Sequence, residues 1–365
     1  MLLAFRFLTG FFGSPALALG GVSAQDMYSP RKLNYAISIW GASAAFGPVL
    51  GPVCAGFATQ YKGWTWAIWE LLWLSGFCLI VLIVFLPETG PANILHRRAQ
   101  RLQKIMRSTN PSSQTVVTSR ADVEAEAING AEQGKEILTQ VFVISVSEPL
   151  VLVLNLYIAL VYALLYLWFE SFPLVFVGIY NFSPGLLGIA FIGILVGTLI
   201  VLPCYWLYFR LCVEPLYGNP QLKHKLVPEV NMKPACIGCF FIPASLLMFA
   251  WSSRTSVHWI VPVIGTTLFA PGIFLLFMAV IGYLTAAYPK YVASVLAGND
   301  LMRAGFGAGF PLFAGAMFHK LGIDWGNTLL ALLSALFIPV PFILVKYGGK
   351  LRKMSKKAAQ DQDEE

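Results

Sequence analysis

The chain has 365 residues, of which 57% are hydrophobic and only 12% charged, and its net charge is +7. Soluble domains carry about one quarter charged residues, so this composition excludes a soluble enzyme or binding module. The alternating strands of about ten residues that a membrane β-barrel requires are absent too, which leaves an all-α, polytopic membrane protein.

Nine apolar stretches are each long enough to cross a bilayer as a helix of about 20 residues. The first, 1–22, carries Arg6 and the glycines Gly10, Gly13, Gly20 and Gly21. After a polar loop with Asp26, Arg31 and Lys32, the second runs over 33–58 and the third over 66–86. Trp64, Trp66 and Trp69 between them read as an interfacial aromatic belt. The composition then turns polar, with a basic run from Arg97 to Arg107 and acidic residues from Asp122 to Glu136. Its first part suits an amphipathic helix on the membrane surface, and 108–119 suits a flexible linker. Six more spans follow at 148–175, 183–209, 235–251, 258–283, 291–318 and 325–345, before a charged tail.

This divides the chain into an N-terminal unit (1–89), a linker (90–147), a six-helix half (148–345) and a tail (346–365). Lysines and arginines crowd the linker, the tail and alternate loops, whereas the opposite side holds Lys62, Arg254 and Lys320. By the positive-inside rule the linker and the C-terminus are cytoplasmic. The same distribution explains the net positive charge without any nucleic-acid partner. Many transporters consist of two six-helix halves, each made of three-helix repeats. Three spans, a linker and six spans fit that plan with three N-terminal helices absent.

The second span holds the most unusual local sequence, Trp40 to Gly56, in which Gly47-Pro48 and Gly51-Pro52 recur four residues apart. Proline removes a backbone donor and would break such a helix in water. Within a membrane, neighbouring helices re-satisfy the freed carbonyls, and the helix survives bent. The spacing puts both steps on one face, whose small residues are expected to let another helix approach closely.

Other chemistry is missing. Cys236 and Cys239 form a lone CxxC inside an apolar span, and the histidines His96, His224, His258 and His319 have no metal-ligand spacing. There is no P-loop, GxSxG or HExxH. No cofactor, metal site or catalytic residue is expected, and the oligomeric state is not legible.

Several motifs then fall in one order. Leu2-x-x-x-Arg6-x-x-Thr9-Gly10, Ala45 to Pro52, Gly63-Trp64-Thr65-Trp66 and Leu86-Pro-Glu-Thr89 occupy the first unit; Tyr166 to Pro173, Pro228-Glu229, Asn299 to Arg303 and Phe310 to Phe313 occupy the second. With them the chain resembles the fungal twelve-span drug:proton antiporters of the major facilitator superfamily over nearly its whole length. Thr9 and Thr65 depart from the glutamine and arginine usual there. The resemblance implies a major facilitator fold lacking about three N-terminal helices. It also implies a multi-pass protein of the plasma membrane, not an enzyme, that exports small, mostly apolar or cationic molecules in exchange for protons. It makes Gly47, Pro48, Gly51 and Pro52 the antiporter motif.

Ionisable groups at membrane depth are costly and usually functional. The candidates for proton coupling or the substrate cavity are Arg6, Glu170, Asn299, Asp300 and Arg303. A carboxyl in low-dielectric surroundings can hold a proton near neutral pH, which gives Glu170 and Asp300 the carrier role and Arg6 and Arg303 the tuning role. Asn299, Asp300 and Arg303 have helical spacings that let them interact, and Asn155 is placed to bond across helices. Tyr157, Tyr162, Tyr166, Trp168 and Phe169 are candidate cavity walls. The alternative reading is a truncated, non-transporting remnant or a helical membrane interaction protein.

Overall fold

A computed structural model describes residues 1–109, 118–119, 130–218, 227–355 and 358. Among them every regular element is a helix. The first unit contains α1 (Leu2–Gly13), α2 (Pro15–Met27), α3 (Pro30–Lys62) and α4 (Trp64–Phe85). The linker contributes α5 (Pro91–Thr109) and α6 (Gly130–Ser147). The second unit contains α7 (Pro149–Phe169), α8 (Pro184–Ala190), α9 (Ile192–Tyr208), α10 (Glu214–Gly218), α11 (Lys233–Ser252), α12 (Ile260–Ala287), α13 (Val292–Gly309), α14 (Pro311–Leu336) and α15 (Pro339–Met354).

Among the described residues, seven helical rods are long and apolar enough to cross a membrane. The other expected crossings fall short of that test for local reasons. The first is divided at Ser14-Pro15, where Ser14 keeps helical angles but proline supplies no donor. The eighth is divided in the same way at Phe310-Pro311, and its first part, α13, carries Asn299, Asp300 and Arg303. The rod Pro311–Met354 is in turn interrupted at Gly322, whose φ of 77° ends one helical run and starts the next. Gly63, with φ 89°, makes the corresponding corner between α3 and α4. Positive φ is costly for any residue with a Cβ.

In the linker, the expected amphipathic segment is the helix α5. Most of the expected flexible stretch, 110–117, lies outside the described residues. The end of the polar region is the helix α6, which packs on α13, and its Ile144 and Ser145 are buried.

The main core lies in the second unit. Trp168 is fully buried, stacked on Phe269 at 4.5 Å and edge-on to Phe172 and Phe249 at 5.0 and 5.4 Å. Such pairs contribute about 0.5–1.5 kcal/mol each beyond their burial. Trp168 and Tyr157 thus belong to the core and not to a cavity wall. Glycines bring the backbones together, as in small-xxx-small membrane packing. A Cβ on Gly193 would stand 2.8 Å from the Val263 carbonyl oxygen, and one on Gly197 would stand 2.8 Å from Ala270 Cβ.

The first unit is built differently. No residue of α4 is buried, and every described side chain from Leu3 to Ala16 is exposed. Helix α3 engages the second unit along its length, through α8, α9 and α12, and α2 packs on α13. Its buried face is Ile37, Ser38, Gly41, Ala42 and Val49.

Candidate functional site

The site is assembled around Arg303 on α13. Its guanidinium bonds the Asp300 carboxylate one turn earlier, a contact that the i, i+3 spacing makes possible. The cation lies 5.0 Å from the centre of the Tyr162 ring and 4.7 Å from that of Phe277, within the range of cation–π attraction. Trp40 of α3 stacks on Phe277 at 6.1 Å. A single stack of side chains therefore runs from α3 through α12 and α13 to α7.

One level away, Asn299 Nδ2 donates to Asn155 Oδ1 at 2.9 Å, and both residues are buried. Asn155, Tyr162 and Tyr166 share a face of α7, and the two tyrosine hydroxyls lie 3.3 Å apart. Gly307 of α13 leaves room for both rings: a Cβ there would come within 3.1 Å of Tyr162 and 3.4 Å of Tyr166.

A cavity of about 110 Å³ opens beside this stack. Its walls include Trp40, Pro48 and Val49 from α3 and Tyr162, Phe277 and Arg303 from the second unit. It is mostly aromatic and aliphatic, with Arg303 as its charged group. Drug-sized ligands occupy roughly 300–1,000 Å³, so entry of such a molecule requires the lining helices to separate.

The predicted site residues divide. Asp300 and Arg303 pair as their spacing implied, Asn299 turns instead to Asn155, and Pro48 lines the cavity with Arg303 across the seam. Glu170 does not join: it is exposed at the C-cap of α7, one turn beyond Tyr166, within a helical rod that continues to Val177. Arg6 is exposed on α1 and does not line the cavity. Of the predicted aromatic wall, Tyr162 and Phe169 line the cavity.

The close approach expected at the glycines of the Gly-Pro repeat is not found there among the described residues. Gly47 and Gly51 are exposed, and a Cβ on either would meet nothing within 4 Å. The close approach occurs on the adjoining face. There a Cβ on Gly188 of α8 would strike the Pro52 carbonyl and stand 2.7 Å from Val53 Cα, and a Cβ on Gly56 would strike the Pro184 carbonyl. The reason is register: both Gly-Pro steps share one face, but the packed stripe through Gly41, Val49 and Gly56 is rotated away from the two glycines.

Sequence reasoning also missed the polar contacts at the two ends of α3. At the Lys62 end, Gln60 Oε1 accepts from the Gly185 backbone N–H at 3.1 Å. At the Pro30 end, Glu214 accepts from Arg31 Nε at 2.8 Å and from the Tyr35 hydroxyl at 3.1 Å, while Trp206 Nε1 donates to Ser38 Oγ at 2.8 Å. Beside these last contacts lies a groove of about 620 Å³ between α3 and the α9–α10 segment. No local motif announces pairs so distant in the chain.

Comparison with known proteins agrees with this geometry. The profile described as Major Facilitator Superfamily matches residues 1–308. "Transporter mfs1" of Schizosaccharomyces pombe is 42% identical over 363 residues, covering 98% of this chain and 67% of that protein. "Fluconazole resistance protein 1" of Saccharomyces cerevisiae is 37% identical, covering 97% of this chain and 63% of that protein. "Multidrug transporter FLR2" of Candida glabrata is likewise 37% identical, covering 97% and 59%. The chain thus spans between 59% and 67% of the length of these three relatives. A profile match over most of the chain, together with helical rods packed around a cavity shared by two units, makes this multi-pass membrane protein a member of the major facilitator superfamily.

Proposed function

We propose that the protein exports small, mostly apolar or cationic molecules by alternating access, driven by protons moving the other way. The observation that carries this reading is the cavity whose walls come from α3 on one side and from α7, α12 and α13 on the other. A small relative movement of the two units would open or close it. Similarity to proteins named for multidrug transport and fluconazole resistance supports the substrate class.

Asp300 is the proposed proton carrier, because its charge is balanced by Arg303 in the cavity wall. Protonation of Asp300 would release Arg303 from its partner and change the charge presented to a substrate. Glu170, at the end of the same α7 face as Tyr162 and Tyr166, is the second candidate, with Arg6 a tuning group on α1. The bent Gly-Pro helix α3 seals the cavity. Units 1–89, 90–147, 148–345 and 346–365 retain the roles given to them from sequence. The protein resides in the plasma membrane with the linker and tail in the cytoplasm, an orientation supported by the basic loops.

The test is efflux of a fluorescent apolar cation from proteoliposomes containing the 365-residue chain, with and without an imposed pH gradient. Gradient-dependent flux that falls at least tenfold in Asp300→Asn is expected. Flux indifferent to the gradient would refute proton coupling. Absence of flux in correctly folded protein would favour the non-transporting reading.

A further inference from the structure

We propose that the groove at the Pro30 end of α3 is a binding site for an anionic phospholipid, with the headgroup at Lys32 and Arg210 and the acyl chains along Ile39 and Leu207. The groove encloses about 620 Å³ and is lined by all four of these residues.

Depth supports the assignment first. Helix α3 has 33 residues; at 1.5 Å per residue it is about 50 Å long, against roughly 40–45 Å for a bilayer with its headgroups. Its two ends therefore reach the headgroup layers, and Lys32 lies in one of them. Ile39, seven residues further along, is about 10 Å deeper, at the level of acyl chains.

The chemistry changes in the same direction. Arg31, Lys32 and Arg210 stand at the rim, and the carboxylate beside them, Glu214, is engaged by Arg31 and Tyr35. Among the described residues neither Lys32 nor Arg210 forms an ion pair, so the rim has a surplus of positive charge that a phosphate would neutralise. Deeper in the groove come Tyr35 and Trp206, amphipathic rings of the kind found at glycerol level. Trp206 is fixed edge-on by its bond to Ser38. Deepest are Ile39, 51% exposed, and, on the facing helix, Pro203, while Leu207, 58% exposed, extends the apolar wall beside Trp206. Cation, aromatic ring and aliphatic wall follow one another in the order of a lipid's phosphate, ester region and chains. Basic pockets between transmembrane helices recognise anionic headgroups in this manner.

The assignment rests on the orientation proposed above only for the identity of the leaflet, which would be the cytoplasmic one. Trp206 supplies the readout. The full chain is placed in nanodiscs of phosphatidylcholine containing a small fraction of either brominated phosphatidylserine or brominated phosphatidylcholine. Quenching is taken as the difference between the wild type and Trp206→Phe. Nanodiscs expose both leaflets, and no transport is measured, so failure of the orientation or of the transport reading does not alter the result. Bromophosphatidylserine is expected to quench at lower mole fraction, by about fivefold for each basic side chain. The preference should vanish in the Lys32→Gln/Arg210→Gln variant and survive in Lys32→Arg/Arg210→Lys. Equal quenching by the two lipids would overturn the proposal. So would a preference that persists without the two charges, or one that millimolar inorganic phosphate abolishes, which would assign the groove to a free anion.

Discussion

The two ends of α3 meet the second unit by opposite means. At the Lys62 end, backbone lies against backbone: Gly188 touches the Pro52 carbonyl, Gly56 touches that of Pro184, and Gln60 caps the contact. At the Pro30 end, side chains do the work, with an ion pair, a tyrosine hydroxyl and an indole–serine bond beside an open groove. A glycine seam holds by shape and tolerates almost no displacement. A clasp of long side chains can lengthen, exchange partners and close again. On the transport reading proposed above, the clasp end is the one suited to open and the seam end the one suited to act as its pivot.

Substitutions can break or sharpen this contrast. The largest effect is expected from Gly188→Leu, which drives a side chain into the Pro52 carbonyl. Overpacking of this kind costs about 1–3 kcal/mol, read as a lower melting temperature, and transport should be lost because α3 can no longer seat. Ser38→Ala comes next: it removes the acceptor of Trp206 Nε1 at a buried position and should cost about 0.5–1.5 kcal/mol by denaturant titration.

Glu214→Gln should change stability less, because its ion pair with Arg31 is on an exposed flank and such pairs are screened by salt. Its signature is kinetic. Cysteine labelling at Ile39→Cys should become faster in the Gln variant at low salt, and the difference should fade at high salt. An unchanged labelling rate would mean that the clasp does not control the groove. Gly51→Ala should cause no loss, since a Cβ there meets nothing within 4 Å and alanine favours helix over glycine by about 0.5–1 kcal/mol. A severe defect in Gly51→Ala with a mild one in Gly188→Leu would invert the assignment of the packed face.

The degree to which this was legible from sequence follows from distance along the chain. Seven of the nine expected crossings and the Asp300–Arg303 pair appear in the structure, as local consequences of apolar run length and i, i+3 spacing. The Asn155–Asn299 bond was half legible: a buried amide needs a partner, but nothing in sequence names one 144 residues away. The Arg31–Glu214 clasp, separated by 183 residues, gave no signal at all. The Gly-Pro repeat identified the right helix, but the packed side holds its prolines and not its glycines, because spacing fixes which residues lie together on a helix and not which side its neighbour occupies. The exposure of Glu170 was not legible either, because spacing along one helix does not say which of its faces a neighbour covers.

The corner glycines carry one more implication. Gly63 and Gly322 turn the chain with nearly the same angles, φ 89° with ψ 167° and φ 77° with ψ 172°. Pro52 and Pro311 each stand eleven residues ahead of their corner. The proline and the turn that follows it are thus spaced identically in two stretches of little sequence likeness. The shared spacing places the two prolines at the same distance from a like backbone corner. It pairs Pro52 with Pro311 as counterparts, so each offers a ready control for experiments on the other.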